Sequence, residues 1–332
     1  MKLTINLYGG LGDQLLTLYA GLALAQENNL NELRIDSTEV AGGTFPILEG
    51  PGYEWRLAGT SPEITSSMSA LKDCSVSISD KNFVLIWDER KRKRLKKFEY
   101  NIYRLQMRLR IPSYFTRQFR SLYYGFNPKL LSLRHSVSIW GDYRTYRYKQ
   151  IIDESGLSVN VAPKIASDWY EQLGREIFTT NSIGVHLRGT DYSLSEDTKG
   201  ILDFEYYTNA IGKFLPEGYI NDKIVVYVFS DDLARAQKCS EHIKRDTELA
   251  VRVINPKDST HPIESILLLS KCQKIICANS GFSYCASLLS GHNNVLLPKP
   301  YMKNDPEFNG GEWNEILPNN WQTCDAVWQS GE

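Results

Sequence analysis

The chain has 332 residues and 38 basic against 39 acidic side chains, a formal net charge of −1 that argues against a dedicated nucleic-acid binder. That length is long for one hydrophobic core, so two α/β domains with a cleft between them are expected. The six cysteines form no CxxC pair and, with only five histidines, no zinc-type spacing, so no metal is expected and they read as reduced, mostly buried thiols of a cytosolic protein.

The amino terminus lacks a charged region followed by a long apolar one, and no run approaches the ~18 apolar residues of a membrane span. Leu3 to Tyr8 alternate and predict a strand. Gly9-Gly10-Leu11-Gly12 breaks it, and Asp13 to Ala25 then predict a largely apolar helix. Strand, glycine loop and helix amino terminus often hold a phosphate, because free N–H groups and the helix dipole attract anions. Gly10 and Gly12 are therefore candidate donor contacts. Asp13, however, falls where an N-cap belongs, and there its carboxylate would claim those N–H groups and repel a pyrophosphate. The loop is expected beside a neutral sugar or an acceptor hydroxyl; the plain alternative is a helix cap.

Residues 42–82 are rich in Gly, Ser, Pro and Thr and predict loops with short strands. From Arg90 the chain becomes basic: Arg-Lys-Arg-Lys-Arg-Leu-Lys-Lys precedes Arg104, Arg108, Arg110, Arg117 and Arg120, interleaved with Phe98, Tyr100, Tyr103, Phe115 and Phe119. Such a surface suits anionic lipid headgroups, each Lys or Arg adding about 1 kcal/mol. Nucleic acid fits the charge equally well, and a solvated face with no partner is the bland alternative. Because the chain is slightly acidic and carries no nucleic-acid motif, residues 90–120 are expected to make a peripheral contact with the inner face of a membrane.

Residues 141–148 end the first half in aromatic and cationic side chains, and Val161-Ala162-Pro163 suggests the crossing between an acceptor-side domain, 1–160, and a second domain, 161–332. The second half alternates regularly. It predicts strand 183–187, helix 203–214, strand 224–229, helix 233–245, strand 249–254, helix 262–272, strand 274–278 and helix 281–290. Repeated β-α units imply a parallel sheet of nucleotide-binding type, with its site at the strand ends. Three of those ends turn abruptly polar. His186, Arg188 and Asp191 follow the first. Ser230-Asp231-Asp232 follows the second, where two acids lack the spaced DxD of metal-bridged sugar nucleotides and Asp232 reads as a cap. Asn279-Ser280-Gly281-Phe282-Ser283 follows the last strand; Ser280 can cap the helix while the next N–H groups point outward, which makes this the preferred pyrophosphate cradle. The alternative for the first strand end is an Arg–Asp pair pinning a loop above a core histidine.

Taken together, Tyr-Gly-Gly-Leu-Gly-Asp-Gln-Leu-Leu at 8–16, Gly-Asp-Tyr-Arg-Thr-Tyr-Arg-Tyr at 141–148, Val-His-Leu-Arg-Gly-Thr-Asp-Tyr at 185–192, Phe-Ser-Asp-Asp at 229–232, Ala-Asn-Ser-Gly-Phe-Ser-Tyr at 278–284 and Ile-Leu-Pro-Asn-Asn-Trp at 316–321 resemble, in order, the motifs of the α-1,2-fucosyltransferase family, glycosyltransferase family 11. The resemblance implies a GT-B architecture of two facing Rossmann-like α/β domains, GDP-β-L-fucose as donor, inversion to an α-linkage, and no metal or other cofactor. By position, His186, Arg188 and Asp191 match the family's HxRRxD motif, whose first arginine is implicated in holding the donor pyrophosphate. Asn279, Ser280, Phe282 and Ser283 match the ANSxFS segment that meets the donor phosphates. Gly189 replaces the second arginine, which keeps a related GDP-6-deoxy sugar such as colitose open as donor. Asp13 replaces the asparagine of GGLGNQ, and similar glycine-Asp loops in heptosyltransferases supply a base.

The expected reaction moves L-fucose to a hydroxyl, the galactose 2-OH of a bacterial-type surface glycan such as O-antigen, on a free or lipid-linked acceptor. Arg188 is expected at the leaving group, with Asp13 as first and Asp191 as second candidate base. Gly10, Gly12, His186, Asp231, Asn279, Ser280, Gly281, Phe282 and Ser283 are expected to bind donor beside Arg188. Two rivals stay open: a GDP-colitose transferase, and a non-catalytic nucleotide- or glycan-binding protein docked on a membrane.

Overall fold

The computed structural model describes residues 1–7, 9–36, 71, 73–80, 82–88, 119–189, 200–215, 224–259, 261–304 and 313–329. Asp191 and nearly all of the basic stretch 90–120 lie outside these residues. The chain divides into two units, Met1–Ala162 and Pro163–Glu332.

In the first unit, β1 (Leu3–Asn6), β2 (Glu32–Asp36), β4 (Val84–Asp88), β5 (Phe119–Tyr124) and β6 (Val137–Asp142) form a parallel sheet of order β4-β2-β1-β6-β5. A separate pair joins β3 (Cys74–Ile78) to β7 (Val159–Pro163). Helix α1 (Leu11–Glu27) is buried on nearly every side from Leu11 to Ala25, which explains its all-round apolar composition. It packs directly on β1: a Cβ on Gly21 would sit 2.6 Å from the Ile5 Cγ2. Helix α2 (Arg147–Glu154) follows β6.

In the second unit, β8 (Asn181–Leu187), β9 (Ile224–Ser230), β10 (Ala250–Ile254), β11 (Lys274–Ile276), β12 (Val295–Lys299) and β13 (Gln322–Asp325) form a wholly parallel sheet of order β10-β9-β8-β11-β12-β13. Counted from β8 this is 3-2-1-4-5-6, the doubly wound order of dinucleotide-binding folds. Helices α3 (Asp168–Thr179), α4 (Phe204–Phe214), α5 (Leu233–Thr247), α6 (Pro262–Ser270) and α7 (Gly281–Ser290) accompany it. The central strands are buried on both faces, Ile183, Val185, Leu187, Val226 and Val228 on one and Gly184, Tyr227 and Phe229 on the other, as helices on both sides of a parallel sheet require.

The predicted alternation holds from β8 to α7. Two strands at the carboxyl end, β12 and β13, were not anticipated. Pro298 inside β12 argues against a strand between two neighbours, and it is tolerated because β11 pairs only with Val295 and Leu296. All six cysteines are free and buried. Burial pushes the Cys239 and Cys277 thiols up to about 12, so they stand as neutral thiols near pH 7. Among the described residues no helix is long and apolar enough to cross a membrane.

Candidate active site

In the second unit the connections leave in opposite directions from β8 and β11, which lie side by side. The crevice beyond the carboxyl ends of such a pair is where open α/β sheets bind ligands. The register Ile276↔Val185 brings the continuation of β8, His186-Leu187-Arg188, alongside Cys277-Ala278-Asn279. His186 is 3% exposed, and its ring stacks on Phe282 with centroids 4.7 Å apart and planes 22° from parallel. Two motifs nearly a hundred residues apart in sequence therefore meet here, with the His186 ring buried against Phe282.

On the other flank of β8, Leu187 pairs with Ser230, so Arg188-Gly189 runs beside Asp231-Asp232. Arg188 Nη1 lies 2.9 Å from Asp231 Oδ2, and the Gly189 N–H donates to Asp231 Oδ1 at 3.2 Å. Asp232 caps α5, accepting from the Arg235 N–H at 2.9 Å, as the sequence suggests. Arg188 and Asp231 form an Arg–Asp pair that pins the two strand ends together; Asp191, the partner and second candidate base expected from sequence, lies outside the described residues.

Helix α7 begins at Ser280, whose backbone is extended and whose hydroxyl accepts from the Phe282 N–H at 3.3 Å. Its first turn contains no acidic residue. Helix geometry leaves the first-turn N–H groups of Gly281 and Ser283 without an intrahelical acceptor, and the dipole adds positive potential to them. Two side chains expected at the donor have internal work. The Ser283 hydroxyl, fully buried, donates to the Ala278 carbonyl at 3.2 Å. The Asn279 amide, 1% exposed, donates to the Gly200 carbonyl at 3.2 Å and approaches the Met302 Sδ at 3.7 Å. What this segment offers an anion is thus its backbone, braced by its side chains.

The first unit repeats the plan at β1 and β6, cross-linked by the buried Asn6, whose amide donates to Ser138 Oγ and the Ile139 carbonyl, both at 2.8 Å. Here one expectation is corrected. The N-cap of α1 is Gly10, extended at φ −71 and ψ 170 and making no side-chain cap bond, and Asp13 is the third helical residue. The helix starts early because Leu11, 3% exposed, is drawn into the core, and Gly12 beside it meets no steric bar to a helical backbone. Asp13 therefore does not claim the terminal N–H groups. Its Oδ1 instead lies 3.4 Å from Arg144 Nη2. Gly9 takes φ +71, and a Cβ there would lie 2.8 Å from Asp13 Oδ2, so glycine is required on both grounds. Gly10 and Gly12 shape this loop beside Asp13, at the switch point of the first unit.

Arg144 was missed as a site residue. It stands two residues past the carboxyl end of β6, as Arg188 stands one residue past that of β8. Among the described residues no group of three or more His, Cys, Asp or Glu side chains is placed to hold a metal ion.

The sequence profile of glycosyl transferase family 11 matches residues 90–325. The chain belongs to this family. The matched span takes in Arg144, Arg188, Asp231 and the 279–283 segment and leaves Asp13 outside it. The chain is also similar to an alpha-1,2-colitosyltransferase of Escherichia coli, 27% identical over 185 residues, which are 52% of this chain and 59% of that protein. The O-antigen biosynthesis glycosyltransferase WbnK of Escherichia coli is 25% identical over 123 residues, 36% of this chain and 38% of that protein. The matches thus span less than two thirds of either relative. Among solved structures, the fucosyltransferase NodZ from Bradyrhizobium is 15% identical with a TM-score of 0.44, covering 87% of this chain and 93% of that one. The ADP-heptose heptosyltransferase II of E. coli is 13% identical with a TM-score of 0.40, covering 98% and 90%. Two parallel α/β units in one chain are the components of the GT-B class that the motifs imply.

Proposed function

We propose that the protein is an inverting glycosyltransferase that moves L-fucose from GDP-β-L-fucose to a hydroxyl, the galactose 2-OH, of a bacterial-type surface glycan such as O-antigen. The observation that carries this reading is that Arg188 and the acid-free amino terminus of α7 follow the adjacent strands β8 and β11 at the switch point of the second sheet. A fork of guanidinium donors and a helix end together match a diphosphate. Family membership supports sugar transfer, and the O-antigen relative supports a surface glycan as acceptor.

In the proposed reaction the acceptor oxygen attacks the anomeric carbon from the face opposite GDP. A new C–O bond forms as the bond to the diphosphate breaks, and GDP leaves with the bonding pair. Arg188 and the N–H groups of Gly281 and Ser283 stabilise the charge that builds on the departing oxygen, and such preorganised electrostatics is usually the largest part of a rate enhancement. The acceptor proton passes to a carboxylate, Asp13 in the first place and Asp191 in the second. In this scheme the leaving-group charge is met by Arg188 and backbone N–H groups, without a metal ion.

A second reading has its own support: the relative that is 27% identical is named as a colitosyltransferase, and colitose differs from fucose by a single missing hydroxyl. Both readings are tested by mass spectrometry of products from the purified protein given GDP-fucose or GDP-colitose and an acceptor library, with and without EDTA. The expected outcome is deoxyhexose addition that survives EDTA. Addition from GDP-colitose alone would replace fucose, absence of turnover with either donor would favour a non-catalytic binding protein, and a complete, metal-reversible loss on chelation would assign the leaving group to a cation.

The basic stretch 90–120 is proposed to dock the enzyme on an anionic membrane surface, where a lipid-linked acceptor would be met. Such attachment weakens as salt shortens the screening length from about 10 Å at 0.1 M to about 3 Å at 1 M. Replacing Arg90, Lys91, Arg92, Lys93 and Arg94 by glutamine is expected to abolish sedimentation with anionic liposomes at low salt and to preserve turnover of a short soluble acceptor. Loss of that soluble turnover would move these residues to the acceptor site.

A further inference from the structure

We infer that Asp231 is a positioning residue for Arg188, and that glycine at 189 is the condition for it. The inference rests on the reading that Arg188 meets the donor diphosphate, and it takes Asp231 out of the donor contacts expected from sequence.

The geometry begins with the parallel register. Because Leu187 pairs with Ser230, the two residues after each strand lie side by side. One carboxylate then holds two successive residues of the neighbouring strand end: Asp231 Oδ2 takes the Arg188 guanidinium at 2.9 Å, and Oδ1 takes the Gly189 N–H at 3.2 Å. A side chain with four rotatable bonds is thereby tied at its tip to the backbone one residue beyond its own Cα. Its fork is held relative to the sheet, which is what preorganisation requires.

Asp231 is poorly suited to touch the donor itself, since a carboxylate against a diphosphate sets like charges together. Paired with the guanidinium it has the opposite effect, since it fixes a cation where a diphosphate would be met.

Gly189 completes the device. A Cβ there would lie 2.7 Å from the Asp232 Cβ and 3.2 Å from its Oδ2. Asp232 is not free to withdraw, because its carboxylate caps α5 through the Arg235 N–H at 2.9 Å and its own N–H donates to Ser230 Oγ at 3.0 Å. Any side chain at 189 would therefore push the two strand ends apart and stretch the Gly189 N–H bond to Asp231.

The test is a double-mutant cycle on kcat/KM for the GDP-sugar, with Arg188→Ala, Asp231→Ala and the double variant, and with thermal unfolding recorded for each. Arg188→Ala is expected to lose on the order of 10²- to 10³-fold, as for loss of one oxyanion donor. Asp231→Ala is expected to lose about tenfold or more, and the double variant to be no worse than Arg188→Ala, because the aspartate acts only through the arginine. Asp231→Asn keeps one acceptor oxygen and the same shape, and it is expected to recover part of the loss; it also replaces Asp231→Ala in the cycle if that variant does not fold. Additive losses, or an Asp231→Ala enzyme with unaltered kcat/KM, would overturn the positioning role. An Arg188→Ala enzyme with unaltered kcat/KM would instead overturn the diphosphate reading itself, so the two failures are distinguishable.

Discussion

The two units share a parallel architecture, and each sets an arginine and an aspartate together beyond the carboxyl ends of its strands, yet the helices that begin beside the two pairs differ. In the second unit the arginine follows the central strand and the aspartate its neighbour, the two side chains 25% and 31% exposed, and the helix entering the crevice has no acid in its first turn. In the first unit the aspartate is itself in the first turn of the helix, and its side chain is 21% exposed against 9% for Arg144. One unit therefore offers the first-turn N–H groups of its helix beside an Arg–Asp pair, whereas the other sets a carboxylate within that turn. The lesson is that a strand–loop–helix turn is not an anion site by virtue of its fold; the side chains of the first helical turn decide the sign.

That contrast can be broken most severely at Asp13. If its carboxylate is the base, Asp13→Asn is expected to lower kcat by about 10²- to 10⁴-fold, the usual span for general base catalysis, with GDP affinity measured by calorimetry unchanged. A kcat within a few-fold of the parent would reduce the first pair to a structural one. A smaller effect is expected at Gly189→Ala, whose methyl has no room beside Asp232: overpacking of this kind destabilises by about 1–3 kcal/mol, and here the lower melting temperature should be accompanied by a raised KM for the GDP-sugar. A melting temperature equal to the parent's would mean that the 230–232 turn yields more easily than its hydrogen bonds imply. The smallest effect is expected at Ser280→Ala, where loss of the cap costs about 1 kcal/mol of stability and leaves the backbone N–H groups in place. Denaturant titration measures it, and a loss of GDP binding without a loss of stability would show the hydroxyl itself on the phosphate.

Much of the second unit is legible in sequence because a buried parallel strand is a continuous apolar run with an abrupt end. Ile183 to Leu187 stops at Arg188, and Ile224 to Phe229 stops at Ser230. The caps Asp232 and Ser280 are equally legible, since N-capping is local chemistry. What sequence does not supply is pairing at a distance. The nearest acid to Arg188 in the chain is Asp191, yet the register of β8 with β9 brings up Asp231; Asp13 and Arg144 are joined only because β1 and β6 are neighbours in the sheet. Nor does local pattern fix where α1 begins: a glycine loop with an aspartate suggests a cap at Asp13, and burial of Leu11 moves the start to Gly10. Strand β13, Gln-Thr-Cys-Asp, is too short and polar to stand out, and it exists because β12 offers it a ladder.

Two of the hydrogen bonds at the switch point fasten the ends of one stretch of chain. Asp231 secures the N–H of Gly189, and Asn279 secures the carbonyl of Gly200, itself wedged where a Cβ would meet Trp328 at 2.6 Å. Each anchor is a side chain at the end of a strand that neighbours β8, so a single change at Asp231 or Asn279 is felt by a backbone group tens of residues away in sequence.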